Sequence, residues 1–373
     1  MDRLRNVFHL GIKEWRSLWR DKIMLGLILF SFSISVYVSG SSIPETLHMA
    51  PIAIVDEDRS PLSTRMVAAF YPPYFISPAM VEQRQIDPLM DAGDYTFVLD
   101  FPPGFQRDLL AGREPTIQLN VDATRLMQAF LGASYIQAIL TMEARAFSQG
   151  GQSVELPVAL QVRNRFNPSL TQSWFGTVVK VIDNITMLSI ILTGAALIRE
   201  REHGTIEHLL VMPLTPLEIM LAKVWSMGLV VLLVSSASLV LLVQGLMRVP
   251  IEGSVPLFLV GAALHLFATT SMGIFMATIA RSMPQLGMLI ILVLMPLQML
   301  SGGSTPFENM PELVQAVMQA APTTHFISLA QAILFRGAGL DIVWPRFLAL
   351  AAIGGLFFAL ALRRFRKSIA GMA

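Results

Sequence analysis

The sequence predicts an α-helical polytopic membrane protein: six transmembrane helices, with an extracytoplasmic α/β domain inserted between the first and second. Three observations carry that prediction. Hydrophobic residues make up 54% of the 373 positions and charged residues only 14%, against roughly 25% charged in soluble domains. The chain therefore lacks the polar material to cover its own surface. Uncharged runs long enough for a ~30 Å hydrocarbon core, about 20 residues each, start at Ile23 and resume only after Trp174. Between them, 41–173 reads as alternating strands and helices. The net charge of +1 (27 basic, 26 acidic) excludes a nucleic-acid binder held by bulk electrostatics. With no cysteine, disulfides, thiolate metal sites and cysteine nucleophiles are excluded as well.

The elements follow in order. Leu4, Val7, Phe8, Gly11, Trp15, Leu18 and Trp19 recur at three- and four-residue steps, with Arg5, Lys13, Arg16 and Arg20 opposite them. This predicts an amphipathic helix over 1–22, lying in the membrane interface. It serves either as a surface anchor or as a docking face for a cytoplasmic partner. The spans are 23–40, 174–198, 224–243, 255–280, 285–303 and 343–362. The first reads as an uncleaved anchor, because its basic prefix is long and five spans follow. The fifth holds Pro296, which membrane helices tolerate. Arg3, Arg5, Lys13, Arg16, Arg20 and Lys22 precede the first span, and Arg363, Arg364, Arg366 and Lys367 follow the last. Both termini are therefore expected in the cytoplasm, and 41–173 outside.

Within that insertion, Pro51–Val55 reads as a buried strand and Ser60-Pro61 as a helix start, with the helix running to about Phe70. Asp94–Phe101 is a second strand, followed by a short helix to Ala111 with Gly112 as its cap. Thr116–Val121 is a third strand and Leu156–Phe166 a last one, with a long helix from Asp122 to about Phe147 between them. Asp56 and Asp58 either close the strand-end turn and cap the helix or hold a hard cation. The turn and cap are the better match, because further ligands at calcium-loop spacing are missing.

Several chemistries are missing from the sequence. No glycine is followed directly by lysine, so a Walker phosphate loop is excluded. Neither His-Glu-x-x-His nor Gly-x-Ser-x-Gly occurs, and the six histidines make no metal-spaced cluster. Charges inside a membrane are functional candidates. Lys180 and Asp183, three residues apart in the second span, are placed to pair, with Asn184 beside them. They form either a structural ion pair or the lining of a translocation path or subunit seam. His265 reads as an interior hydrogen-bonded residue.

The loop joining the second and third spans is the most distinctive stretch: Arg199-Glu200-Arg201-Glu202-His203-Gly204-Thr205-Ile206-Glu207-His208-Leu209-Leu210-Val211-Met212-Pro213. It reads as a charged turn, a glycine break and a short helix stopped by Pro213, with Thr215-Pro216 starting the next helix. Held by two spans, it would act as a lever. This loop resembles the coupling element of the type-2 ATP-binding-cassette transporter permeases, in the exporter branch with a large domain after the first span. Leu300-Ser301-Gly302-Gly303-Ser304-Thr305-Pro306 with Glu308-Asn309-Met310-Pro311, and Pro322-Thr323-Thr324-His325-Phe326 with Arg336-Gly337, resemble that family's re-entrant region over 301–342. The same Leu300–Ser304 run also resembles the signature loop of the cassette ATPases. Without a Walker loop it reads as a helix-ending turn.

The resemblance implies a non-enzymatic permease whose coupling residues are Arg199, Glu200, Arg201, Glu202, Gly204, Thr205 and Glu207 within 199–218. It implies a bacterial inner-membrane location, a second permease copy or similar permease chain, and cytoplasmic ATPase subunits that bring ATP and Mg. This chain itself would bind no cofactor. It further implies export of small amphipathic, drug-like compounds, with membrane lipid around the spans and room for a periplasmic adaptor on the outer domain. The alternative from another class is a non-transporting receptor or adhesion platform acting through 41–173.

Overall fold

Apolar length decides the larger part of the architecture. The computed structural model describes residues 2–41, 47–122, 126–148, 172–202, 214–303, 305, 307 and 310–370. The chain divides into two units: Met1–Ile43 with Asn164–Ala373, and Pro44–Arg163.

In the first unit, α1 (Asp2–Arg20) leads into α2 (Lys22–Phe32) and α3 (Ile34–Ser41). Then come α8 (Gln172–Glu202), α9 (Pro216–Ala237), which runs on into a π-helical stretch (Ser238–Leu246), and α10 (Val255–Ile279). The remaining helices are α11 (Met283–Met299), α12 (Glu312–Met318), α13 (Pro322–Leu334) and α14 (Leu340–Ala370). Among the described residues, five stretches are long and apolar enough to cross a membrane: Lys22–Ser41, Trp174–Glu202, Pro216–Leu246, Val255–Ile279 and Leu340–Lys367. The counterpart of the expected fifth span, α11, has 17 residues, about 25 Å at 1.5 Å per residue. Re-entrant geometry was expected over 301–342, and two short helices, α12 and α13, stand there.

α8 is the central helix, packed against α2, α3, α9, α10, α11 and α13. Burial covers 83% of its apolar window but only 17% of that of α14, which places α14 at the periphery. The α8–α10 crossing is close because Gly273 lies against it. A Cβ there would fall 2.6 Å from the Ile190 carbonyl oxygen, the small-residue approach typical of membrane helices. Hydroxyls stitch the same seam, with Ser189 Oγ donating to Thr269 Oγ1 at 2.6 Å and Thr186 Oγ1 meeting His265 Nε2 at 2.8 Å. His265 is fully buried and stacks on Phe326, as its interior reading predicted.

The first span departs from the continuous helix expected over 23–40. It is interrupted at Ser33 (φ −119°, ψ −80°). Carbonyls beside such a break need partners in hydrocarbon. Here Asn184 Nδ2 donates to the Ser31 carbonyl and Ser238 Oγ donates to the Phe32 carbonyl at 2.6 Å.

The second unit holds a four-stranded sheet in the order β2-β1-β3-β4. Its strands are β1 (Ile52–Asp56), β2 (Ala79–Met80), β3 (Phe97–Phe101) and β4 (Gln118–Val121). β1 pairs in parallel with both β2 and β3, and β3 pairs antiparallel with β4. Its helices are α4 (Pro61–Ala68), α5 (Ile86–Asp91), α6 (Phe105–Leu110) and α7 (Leu126–Ser148). Sequence reading anticipated every one of these elements except β2 and α5. β1 and β3 are almost wholly buried, as parallel strands covered on both faces must be. Ser60 caps α4 with Pro61 next to it, and Gly112 (φ +73°) ends α6. Asp56 Oδ1 accepts from the amides of Asp58 and Arg59, and Asp58 Oδ2 accepts from the Gln106 amide. Asp56 thus closes the turn, while Asp58 reaches across to the first turn of α6. Burial works against ionisation of Asp58, but hydrogen bonds from Ser60 and from the backbone of Gln106, Gly104 and Phe105 outweigh it and hold its pKa below the usual carboxylate range. The strand expected over 156–166 lies outside the described residues.

Candidate functional site

The last turn of α8 carries four consecutive charges, and the helical twist sends each toward a different neighbour. Arg199 Nη1 pairs with Asp21 Oδ2 at 2.8 Å. Asp21 is also the N-cap of α2, its Oδ1 accepting from the Met24 amide. Glu200 Oε1 takes Lys13 Nζ of α1 at 2.7 Å, and its Oε2 takes Lys223 Nζ of α9 at 2.8 Å. Arg201 Nη1 donates to the carbonyls of Ala277 and Ala280, where a cation satisfies the C-terminal acceptors of α10. Glu202 Oε1 accepts from the Met283 amide at 2.9 Å, a carboxylate at the N-terminus of α11. One turn of helix therefore grips α1, α2, α9, α10 and α11.

Lys223 is the centre of the network. It is 1% exposed, and its ammonium lies 2.9 Å from Glu14 Oε1 as well as 2.8 Å from Glu200. Glu14, Lys223, Glu200 and Lys13 form an alternating row whose formal charges cancel. Buried ions persist only when paired in this way.

α1 closes over the network. Trp15 Nε1 donates to the Ser226 carbonyl at 2.8 Å and Trp225 Nε1 to the Val7 carbonyl at 3.2 Å, a reciprocal clasp between α1 and α9. Phe8 stacks on Trp225 at 5.8 Å between ring centres. Gly11 leaves the space for that indole, since a Cβ would sit 2.0 Å from the ring. The face of α1 turned to α9 carries Val7, Gly11, Glu14 and Leu18, while Leu4, Phe8 and Trp19 stay exposed. The seven apolar residues expected to share one face are thus split between protein and surroundings.

Of the expected coupling residues, the structure brings Arg199, Glu200, Arg201 and Glu202 together, whereas Gly204, Thr205 and Glu207 lie outside the described residues. Lys180, Asp183 and Asn184 do not act as a group. Among the described residues Lys180 and Asp183 make no ion pair within 4.0 Å. They lie, half-buried, on one stripe of α8 with Met187 and Ile191. Asn184 is turned inward to the break at Ser33.

Sequence reasoning missed Glu14, Asp21, Lys223 and Trp225. Lys223 had a usable signal: it is an ionisable residue inside an apolar helix. Starting the third span at 224 hid it.

A family model described as ABC-2 family transporter protein matches residues 23–363. The inner membrane transport permease YhhJ of Escherichia coli K12 is 63% identical over 374 aligned positions, covering 100% of both chains. The probable multidrug ABC transporter permease YbhR of the same strain is 28% identical over 370 positions, with 96% of this chain and 97% of that one covered. A third relative, the probable multidrug ABC transporter permease YbhS, is 25% identical over 347 positions, covering 89% of each.

Proposed function

This chain belongs to the ABC-2 family of transporter proteins, and we propose that it is the permease subunit of an ATP-driven exporter in a bacterial inner membrane. Both termini and the end of α8 face the cytoplasm. A separate ATPase subunit supplies ATP hydrolysis with Mg and docks on the segment after Glu202. Two permease chains, identical or similar, form the working unit. Its cargo is small amphipathic compounds, a reading supported by the multidrug names of two relatives. The domain inserted over 41–173 is periplasmic, where an adaptor would meet it.

The observation that carries this reading is the last turn of α8. Four charges immediately before 203–213 grip five helices, so a push on that segment is transmitted to all of them together. Packed helices respond to such a push by switching between discrete arrangements.

The test is co-purification from native membranes in mild detergent, followed by an ATP hydrolysis assay. ATPase activity should travel with the wild-type chain and disappear when Gly204–Glu207 are replaced. Charge reversal at Glu207 should abolish export while membrane insertion persists. A clean chain with no hydrolytic companion in several detergents would overturn the exporter reading in favour of a receptor platform.

A further inference from the structure

At the end of the bundle where α8 begins, the short helices α12 and α13, the turn after α11 and the first turns of α14 enclose a cavity of about 870 Å³. Its wall holds Arg336, Arg346, His325, Thr324, Gln319 and Gln331, and among the described residues no carboxylate lines it. His325 Nε2 donates to the Gln319 carbonyl at 2.8 Å, which leaves Nδ1 to accept from Arg346 Nη1 at 3.2 Å. That contact holds one guanidinium in place without neutralising it. Arg336 meets no carboxylate among the described residues. Thr324 is nine-tenths buried, and its Oγ1 has no hydrogen-bond partner among the described residues. α13 begins without a side-chain cap, so its first-turn amides have no acceptor within the helix.

Two cations, a positioned imidazole, an unanswered hydroxyl and an uncapped helix start make a donor-rich cavity with no carboxylate among the described residues. Guanidinium pairs match phosphate oxygens in charge and fork geometry, and helix N-termini favour the same ligand. The surrounding elements are apolar outside: Leu313 and Val317 of α12, and Leu340, Ile342 and Trp344 of α14, are exposed. A ligand with a phosphate head and apolar tails would satisfy both surfaces.

We infer that this cavity is a phosphate-binding site that takes the headgroup of an anionic phospholipid, with Arg336 and Arg346 as its cationic ligands. Neither the transport reading nor the ATPase partner is needed for this site, so it stands or falls separately from the proposed function.

The experiment is native mass spectrometry of the purified, delipidated full chain titrated with phosphatidylglycerol, phosphatidylcholine or inorganic phosphate. The wild-type chain should prefer phosphatidylglycerol by about tenfold or more, and the Arg336→Gln/Arg346→Gln variant should lose that preference. Arg336→Lys/Arg346→Lys should recover part of it, since charge is kept and the fork is lost. Competition by inorganic phosphate would show that the phosphate group alone suffices; failure to compete, with the lipid preference intact, would show that the tails are also read. Either result keeps the site. A preference unchanged in the double Gln variant would overturn the inference. So would an equal loss in a control Arg363→Gln/Arg364→Gln variant at the far end of α14, which would reveal only generic attraction to anionic lipid.

Discussion

The two ends of the membrane bundle use the same residue types in opposite ways. Where α8 ends, each charge that reaches inward is answered from within the chain: Lys223 by Glu14 and Glu200, Arg199 by Asp21, Arg201 by two carbonyls and Glu202 by an amide. Where α8 begins, Arg336 and Arg346 face a cavity without a carboxylate among the described residues. A closed network fastens helices to one another, and it has no capacity left for a ligand. An open one contributes little to the fold and leaves its charge for something outside the chain. Electrostatic completeness thus separates a mechanical joint from a binding site.

The largest test of that contrast is Lys223→Met. It leaves Glu14 and Glu200 buried without their shared cation, a loss of about 3–5 kcal/mol. Thermal unfolding in detergent should show it. Adding Glu14→Gln to the same chain should restore part of the loss, whereas Arg336→Met at the open end should leave the midpoint nearly unchanged. Equal effects at the two ends would erase the distinction.

Packing gives the next size of effect. Gly11→Leu drives a side chain into the Trp225 ring, which the Val7 carbonyl and Phe8 hold in place. Overpacking of this kind costs about 1–3 kcal/mol, and protease cleavage within α1 should rise as it lifts from α9. Gly273→Ala should disturb the α8–α10 crossing similarly, while Gly287→Ala, with open space around its Cβ, should be silent.

Arg201→Gln should cost about 1.5–3 kcal/mol, the range for hydrogen bonds from a charged group, read in the same unfolding assay. On the exporter reading, transport should fall by more than that stability change implies, because one of the five grips is released.

The smallest effect concerns Asp100 on β3, whose Oδ1 is buried with no hydrogen-bond partner among the described residues. Burial, with the Glu57 carboxylate nearby, pushes its pKa upward. An acid whose pKa is raised on folding subtracts stability above that raised value. The penalty fades as pH falls toward 3.8, its ordinary value; below that the group is protonated in both states. Asp100→Asn should therefore raise the unfolding midpoint at pH 7 and have no effect below pH 3.8. A lower midpoint at pH 7 would mean that the carboxylate is answered after all.

Much of the architecture was legible because it rests on local signals. Apolar runs marked the spans, Ser60-Pro61 announced α4, and Gly112 announced the end of α6. β2 escaped because two residues carry no periodicity. It is a strand only because β1 offers it an edge. The break at Ser33 was equally hidden, since nothing near it in the sequence is a helix breaker. The carbonyl partners that accommodate it, Asn184 and Ser238, come from other helices. Of the candidate site, the four charges after Ile198 were visible as a group, but their partners were not.

The sequence by itself determined that the chain enters a membrane, where most of its helices lie and which family it resembles. Each of these depends on residues close together along the chain, through length, alternation and capping. Tertiary structure alone decided which charges are answered. Lys223 is 209 residues from Glu14, and nothing local distinguishes it from Arg336, which meets no carboxylate among the described residues. The physical reason is that a buried ion's cost is set by what surrounds it in space, and only the packed helices bring its partners within 3 Å.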